Sequence, residues 1–211
     1  VASAFYGEEA IPIFEVILPF TKQGRELIWL RNYYEKCIAA DGDVELNGAL
    51  RAEDWLGPFK PKSIEVIPLV EDFDSLLAID GIVADYIKAS RPRYLRAFIA
   101  RSDPALNYGL FCAVILAKLA IWKLKALEER TGVPMYPILG VGTMPFRGHL
   151  SPANLDNFLR EYRGLSTVTI QSALRYDYPV GEAKRAVEVL NERLPNGDPE
   201  QIPVDPEVLS S

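Results

Sequence analysis

Histidine and cysteine are scarce in this chain of 211 residues, which has one His and two Cys. Cys37 and Cys112 build no disulfide framework. Each sits in a helix-like apolar pattern and reads as a core thiol, a usage that fits a reducing cytoplasm. Positive charge is not in excess. With 23 Lys and Arg against 29 Asp and Glu, the net charge is −6, which excludes wholesale binding to nucleic acid or an anionic membrane. An anionic substrate would therefore have to be held by a few focused arginines. No apolar run is long. "GLFCAVILA", 109–117, is too short to span a bilayer and is followed by Lys118. The N-terminus has no basic n-region, no cleavable apolar run and no Met, so it reads as the start of an internal piece rather than a signal peptide. No G-x-G-x-x-G opens a helix, which weakens a dinucleotide-binding reading.

What is present is an ordinary globular composition, 49% hydrophobic and 25% charged, and enough length for one sizeable core. Short β-rich runs at 11–19, 63–71, 93–101, 135–142 and 166–174 predict five strands. Helical spacing follows each one, at 21–40, 72–90, about 102–130, 151–164 and 180–194. Gly132 is expected as the residue that closes the long third helix. Ser151 and Pro152 are expected to open the fourth. A polar excursion at about 40–61 reads as a long loop, and the tail from 195, with four prolines, as irregular. The βα alternation predicts one α/β domain over 1–211 with a parallel sheet. Two architectures fit: an open doubly wound sheet, or part of a (β/α)8 barrel whose other strands lie outside this chain.

In both architectures chemistry sits where strands end and helices begin. Strand two ends at Glu71. Strand three runs into Arg101, Asp103 and Asn107. Strand four opens into "LGVGTMPFRGHL", 139–150, which holds Arg147 and the lone His149. Strand five carries Thr167, Thr169 and Gln171 on one face and is followed by Arg175. Two carboxylates can hold a hard divalent cation, and arginines clamp phosphate or carboxylate. A glycine-rich loop lets backbone N–H groups approach an anion. Each residue also has an ordinary reading. Glu71 and Asp103 could simply be acids at helix starts. Arg101 could be a solvated loop residue, and His149 structural or solvated. Glu15, inside strand one, needs a partner if it is buried.

Five collinear segments, "FYGEEAIPIFEVILPFT", "IPLVEDFDSLL", "ARSDPALNYG", "GVGTMPFRGHLSP" and "VTIQSALRYDYP", resemble phosphoenolpyruvate carboxylase of the archaeal type. The resemblance implies a (β/α)8 barrel enzyme in a cytoplasmic homo-oligomer, usually a tetramer. It implies Mg2+ or Mn2+ as cofactor, with phosphoenolpyruvate and bicarbonate as substrates and oxaloacetate and phosphate as products. The implied course passes through carboxyphosphate and the pyruvate enolate. Glu71 in "PLVED" and Asp103 in "RSDPA" take the places of the metal-ligating carboxylates. Arg147 in "FRG" takes that of an anion-binding arginine. Arg175 in "TIQSALRYDYP" takes that of a substrate-side arginine, with Gln171 beside it. Val141, Leu106 and His149 stand where bacterial and plant members have arginine, lysine and glycine, which points to the archaeal branch. No "STQHPD"-like segment is present, so the family's essential histidine lies outside this chain. The alternatives are another Mg2+-dependent barrel that makes or cleaves a pyruvate enolate, of the citrate lyase or isocitrate lyase kind, or a structural piece without activity of its own.

Overall fold

The computed structural model describes residues 11, 13–48 and 50–201. The first of the five collinear segments over 5–10, and the tail beyond 201, lie outside the described residues. Seven strands and nine α-helices follow in chain order among them: β1 (Glu15–Leu18), α1 (Gly24–Tyr33), β2 (Glu45–Asn47), β3 (Leu50–Arg51), α2 (Ala52–Leu56), β4 (Glu65–Val70), α3 (Phe73–Leu77), α4 (Ile79–Ser90), β5 (Leu95–Ala100), α5 (Ser102–Tyr108), α6 (Leu110–Thr131), β6 (Met135–Gly140), α7 (Leu155–Glu161), β7 (Thr167–Val168), α8 (Ser172–Tyr176) and α9 (Val180–Arg193). Five strands form one parallel sheet in the order β1-β4-β5-β6-β7. Omitting the β2–β3 hairpin, spatial order is chain order without reversal.

The alternation along each strand sorts its side chains. Val66 and Val70, Leu95, Ala97 and Ile99, and Met135, Leu139 and Val141 join one buried cluster with residues of α4, α6, α7 and α9. The intervening residues form the opposite face. There Arg96 on β5 pairs with Glu15 on β1 at 3.0 Å and donates to Thr167 on β7 at 3.4 Å. Glu15 is therefore a genuine strand residue with a cationic partner. Burial and the nearby Glu15 carboxylate push the Tyr94 hydroxyl above its ordinary pKa.

Several expected elements are shorter or broken. The helix expected over 21–40 is α-helical only to Tyr33. It widens to a π-helical turn at Tyr34–Ile38 that buries no residue, then tightens to 3-10 at Ala39–Asp43. Cys37 is consequently exposed, which corrects its reading as a core thiol, whereas Cys112 is partly buried and packs against the core. The excursion over 40–61 contains the β2–β3 hairpin and α2. The long third helix breaks at Gly109, whose φ of 89° favours glycine, and closes on Gly132 in the left-handed region as expected. The fifth strand keeps only Thr167–Val168 in its ladder, and Ser172–Tyr176 is helix. No helix among the described residues is long and apolar enough to cross a membrane.

Helix α1 lies against α4 through a glycine. A Cβ on Gly24 would stand 2.5 Å from the Ile82 carbonyl oxygen and 2.7 Å from Asp85 Cβ. Because both obstacles are close to the main chain, Gly24→Ala should cost about 1–3 kcal/mol. A lower urea midpoint at an unchanged slope would register it.

Candidate functional site

The strand ends build one cleft. Extending the ladders by one residue sets Glu71 beside Ala100, and Thr169 beside Gly140. The cleft has a volume of about 500 Å³; its floor is Leu69, Phe98, Ala100 and Gly140. Gly140 is required there, since a Cβ would stand 2.5 Å from Phe98 Cε1. The walls carry Glu71, Asp103, Arg147 and Gln171, together with Arg101, Ser102 and Thr169. Four of the five residues given site roles by the resemblance, all but Arg175, thus meet in one place.

Glu71 is free of the helix-start role. That role belongs to its neighbour Asp72, whose carboxylate accepts from the Ser75 backbone N–H at 2.9 Å and from the Ser75 hydroxyl at 2.9 Å. Burial and then the charge of Asp103, with a further contribution from Asp72, push the Glu71 carboxyl above its ordinary pKa. Asp103 sits in the first turn of α5 but makes no capping hydrogen bond. Neither Glu71 nor Asp103 has an ion-pair partner among the described residues. Two converging carboxylates with no cation are a donor set that suits a hard divalent ion. Among the described residues no group of three or more His, Cys, Asp or Glu could complete a metal sphere. A cation here would draw its other ligands from water and substrate, as Mg2+ commonly does.

The loop over 142–150 is closed at its neck. The Gly142 N–H donates to the Arg147 carbonyl at 2.8 Å, and the Leu150 N–H to the Gly142 carbonyl at 2.9 Å. The N–H groups of Arg147, Gly148 and His149 also go to loop carbonyls. The loop therefore spends these N–H groups on its own folding, unlike the backbone anion cradle expected from its glycines. What it presents is the exposed Arg147 side chain, which donates to Gln171 Oε1 at 3.3 Å and lies over the Phe146 ring at 5.5 Å. Two glycines permit this. A Cβ on Gly142 would collide with the Gln171 side-chain amide. Gly148 has φ of 107° and presses against Val141. His149 is exposed and left-handed.

Arg175 does not join the cleft. It is exposed on α8, lies over the Tyr176 ring at 5.2 Å, and borders a separate apolar hollow with Ile170, Leu174 and Val180. Asn107 is exposed on α5. Arg101, weighed above as a rim or solvated residue, is 1% exposed. Its sequence signal was available: a period of two puts Arg101 on the same face as the core residues Ala97 and Ile99.

Comparison with known proteins gives a consistent picture. A family model described as phosphoenolpyruvate carboxylase matches residues 1–209. A phosphoenolpyruvate carboxylase of Caldivirga maquilingensis is 49% identical over 210 residues, covering 100% of this chain and 40% of the relative. That of Metallosphaera sedula is 49% identical over 191 residues, covering 90% and 38%. That of Pyrococcus horikoshii is 43% identical over 203 residues, covering 96% and 43%. The chain thus spans about two-fifths of the length of the curated relatives it matches.

Proposed function

The chain belongs to the phosphoenolpyruvate carboxylase family, and on that premise we propose that it is the part of a (β/α)8 barrel enzyme that carries the cation-binding carboxylates and an anion-binding arginine for joining bicarbonate to phosphoenolpyruvate. The products are oxaloacetate and phosphate. The observation that carries this reading is the convergence of Glu71, Asp103, Arg147 and Gln171 on one cleft at the strand ends. The barrel reading is supported by a strand order without reversal and by a helix-packed core on one face of the sheet. A doubly wound sheet would reverse its order. The remaining strands, and the family's essential histidine, belong to the rest of a longer polypeptide in this reading. A cytoplasmic homo-oligomer without nucleic-acid or membrane partners completes it.

Each residue has a physical task. Glu71 and Asp103 would hold Mg2+ or Mn2+. Such a cation supplies charge neutralisation where negative charge develops on phosphoryl and enolate oxygens. Arg147, on a loop closed by its own hydrogen bonds, brings a guanidinium to the same space. It offers two parallel N–H donors to a phosphate or carboxylate edge. Gln171 accepts from Arg147 and so holds it over the cleft. Leu69, Phe98 and Ala100 give the cleft an apolar floor beneath these groups. Arg175 has a substrate-side role only through the resemblance, and it would have to turn towards the cleft to perform it.

In the full-length protein, with Mg2+ and malate dehydrogenase as coupling enzyme, NADH should be consumed only when both phosphoenolpyruvate and bicarbonate are present. NADH consumption on supply of a hydroxy acid such as citrate, with neither phosphoenolpyruvate nor bicarbonate present, would favour the lyase alternative, because oxaloacetate cannot form from phosphoenolpyruvate without a one-carbon donor. No consumption from phosphoenolpyruvate and bicarbonate with any divalent metal would refute the carboxylase reading.

A further inference from the structure

We infer that Arg101 is a positioning residue, whose buried guanidinium holds the 142–150 loop so that Arg147 faces the cleft. The inference deepens the reading above and rests on it. Arg101 Nε donates to the Tyr162 hydroxyl oxygen at 2.9 Å, Nη1 to the Phe146 carbonyl at 3.0 Å and Nη2 to the Leu110 carbonyl at 3.4 Å. These bonds engage three of the five N–H donors of a guanidinium. All three acceptors are neutral. Burial holds the Tyr162 hydroxyl above its ordinary pKa, although Arg101 pulls it the other way, so it remains a phenol at neutral pH.

No carboxylate among the described residues pairs with Arg101. A guanidinium so deeply buried normally has an anionic partner, because leaving water is costly for a charge. Arg101 borders the cleft, so its unpaired charge lies behind the wall of the space an anion would occupy. The link to Arg147 is short. The carbonyl held by Nη1 belongs to the peptide that joins Phe146 to Arg147. The loop also rests on the Arg101 stem, since a Cβ on Gly148 would stand 3.4 Å from Arg101 Cγ. Releasing that carbonyl removes the tie between the Arg147 peptide and the core while the bonds within the loop remain, and small misplacements of a charge-stabilising group are expensive in rate.

Arg101→Met in the full-length protein keeps the apolar stem and removes the charge and donors. It should lower kcat by about 100-fold, with a much smaller change in KM for phosphoenolpyruvate. It should also raise the ratio of pyruvate to oxaloacetate, and add little to the loss already caused by Arg147→Ala. Arg101→Lys keeps the charge without the three-way grip and should restore part of the rate. Binding of inorganic phosphate, measured by calorimetry, should weaken about tenfold or more in Arg101→Met. That readout needs no turnover, so it tests Arg101 even if the wild-type protein fails to carboxylate phosphoenolpyruvate, a result that would refute the functional reading instead. A folded Arg101→Met with kcat and product ratio within about threefold of wild type and with unchanged phosphate binding would overturn the inference. If Arg101→Met does not fold, a folded Arg101→Lys with the wild-type product ratio and phosphate affinity would overturn it equally.

Discussion

Replacing Arg147 by alanine in the full-length protein should lower kcat by about 100- to 1,000-fold, the usual loss when one charge-stabilising donor is removed. KM for phosphoenolpyruvate should change much less. The reason is timing: a guanidinium beside a transferring phosphoryl group acts most strongly when charge moves in the transition state. The loop that carries Arg147 closes on its own carbonyls, so truncating this exposed side chain leaves the loop fold in place. Arg147→Lys should recover only part of the rate, since the charge returns without the two-pronged geometry. The products should change as well. With the enolate and CO2 no longer held together, phosphoenolpyruvate loses phosphate without carboxylation and pyruvate appears. Parallel assays with lactate and malate dehydrogenases read the ratio. Near-normal kcat with an unchanged ratio would assign Arg147 to the solvated surface.

The carboxylate pair predicts an effect of similar size on the metal. Glu71→Ala or Asp103→Ala should raise the Mg2+ concentration needed for half-maximal activity by about 100-fold or more, above the typical loss from disturbing a residue behind a ligand. Far-ultraviolet circular dichroism should barely change. An acid acting only on a helix start would instead cost about 1 kcal/mol of stability and leave the metal requirement alone. Protonation gives an independent check. The Glu71 carboxyl holds its proton to a higher pH than usual, because burial and then Asp103 oppose its charge. A raised carboxyl pKa favours the folded, metal-free protein fully below the ordinary Glu value. That contribution disappears as pH rises through the raised value. A cation must displace the same proton, so the Mg2+ requirement should climb as pH falls through that range. Glu71→Gln should remove this part of the pH dependence. An identical pH profile for wild type and Glu71→Gln would mean that Glu71 does not bind the metal.

Much of this protein was legible in the residues alone. Short β-rich runs alternating with helical spacing determine a parallel sheet, because each helix is a crossover that returns the chain to the end of the sheet where the strand before it began. Strand ends then mark Glu71, Asp103 and Arg147, and the structure brings these three into one cleft with Gln171. Gly148 is likewise a local requirement, imposed by a left-handed backbone, whereas Gly142 is required by Gln171 from a distant segment. Other features depend on contacts between residues far apart in the chain. Cys37 faces solvent because α1 gives way to a π-helical turn, which helical periodicity does not register. The ladder of β7 stops at Val168, and helix resumes at Ser172, so Arg175 falls outside the cleft in which the resemblance had set it. Glu15 finds Arg96 two strands away across the sheet. Arg101 shows the division most sharply. Its alternation with Ile99 determines that it points into the core. Only the tertiary structure decides what it meets there, because Tyr162 and Phe146 come from segments 61 and 45 residues away. A buried guanidinium takes its role from the acceptors that surround it, and those are assembled by packing rather than by neighbouring sequence.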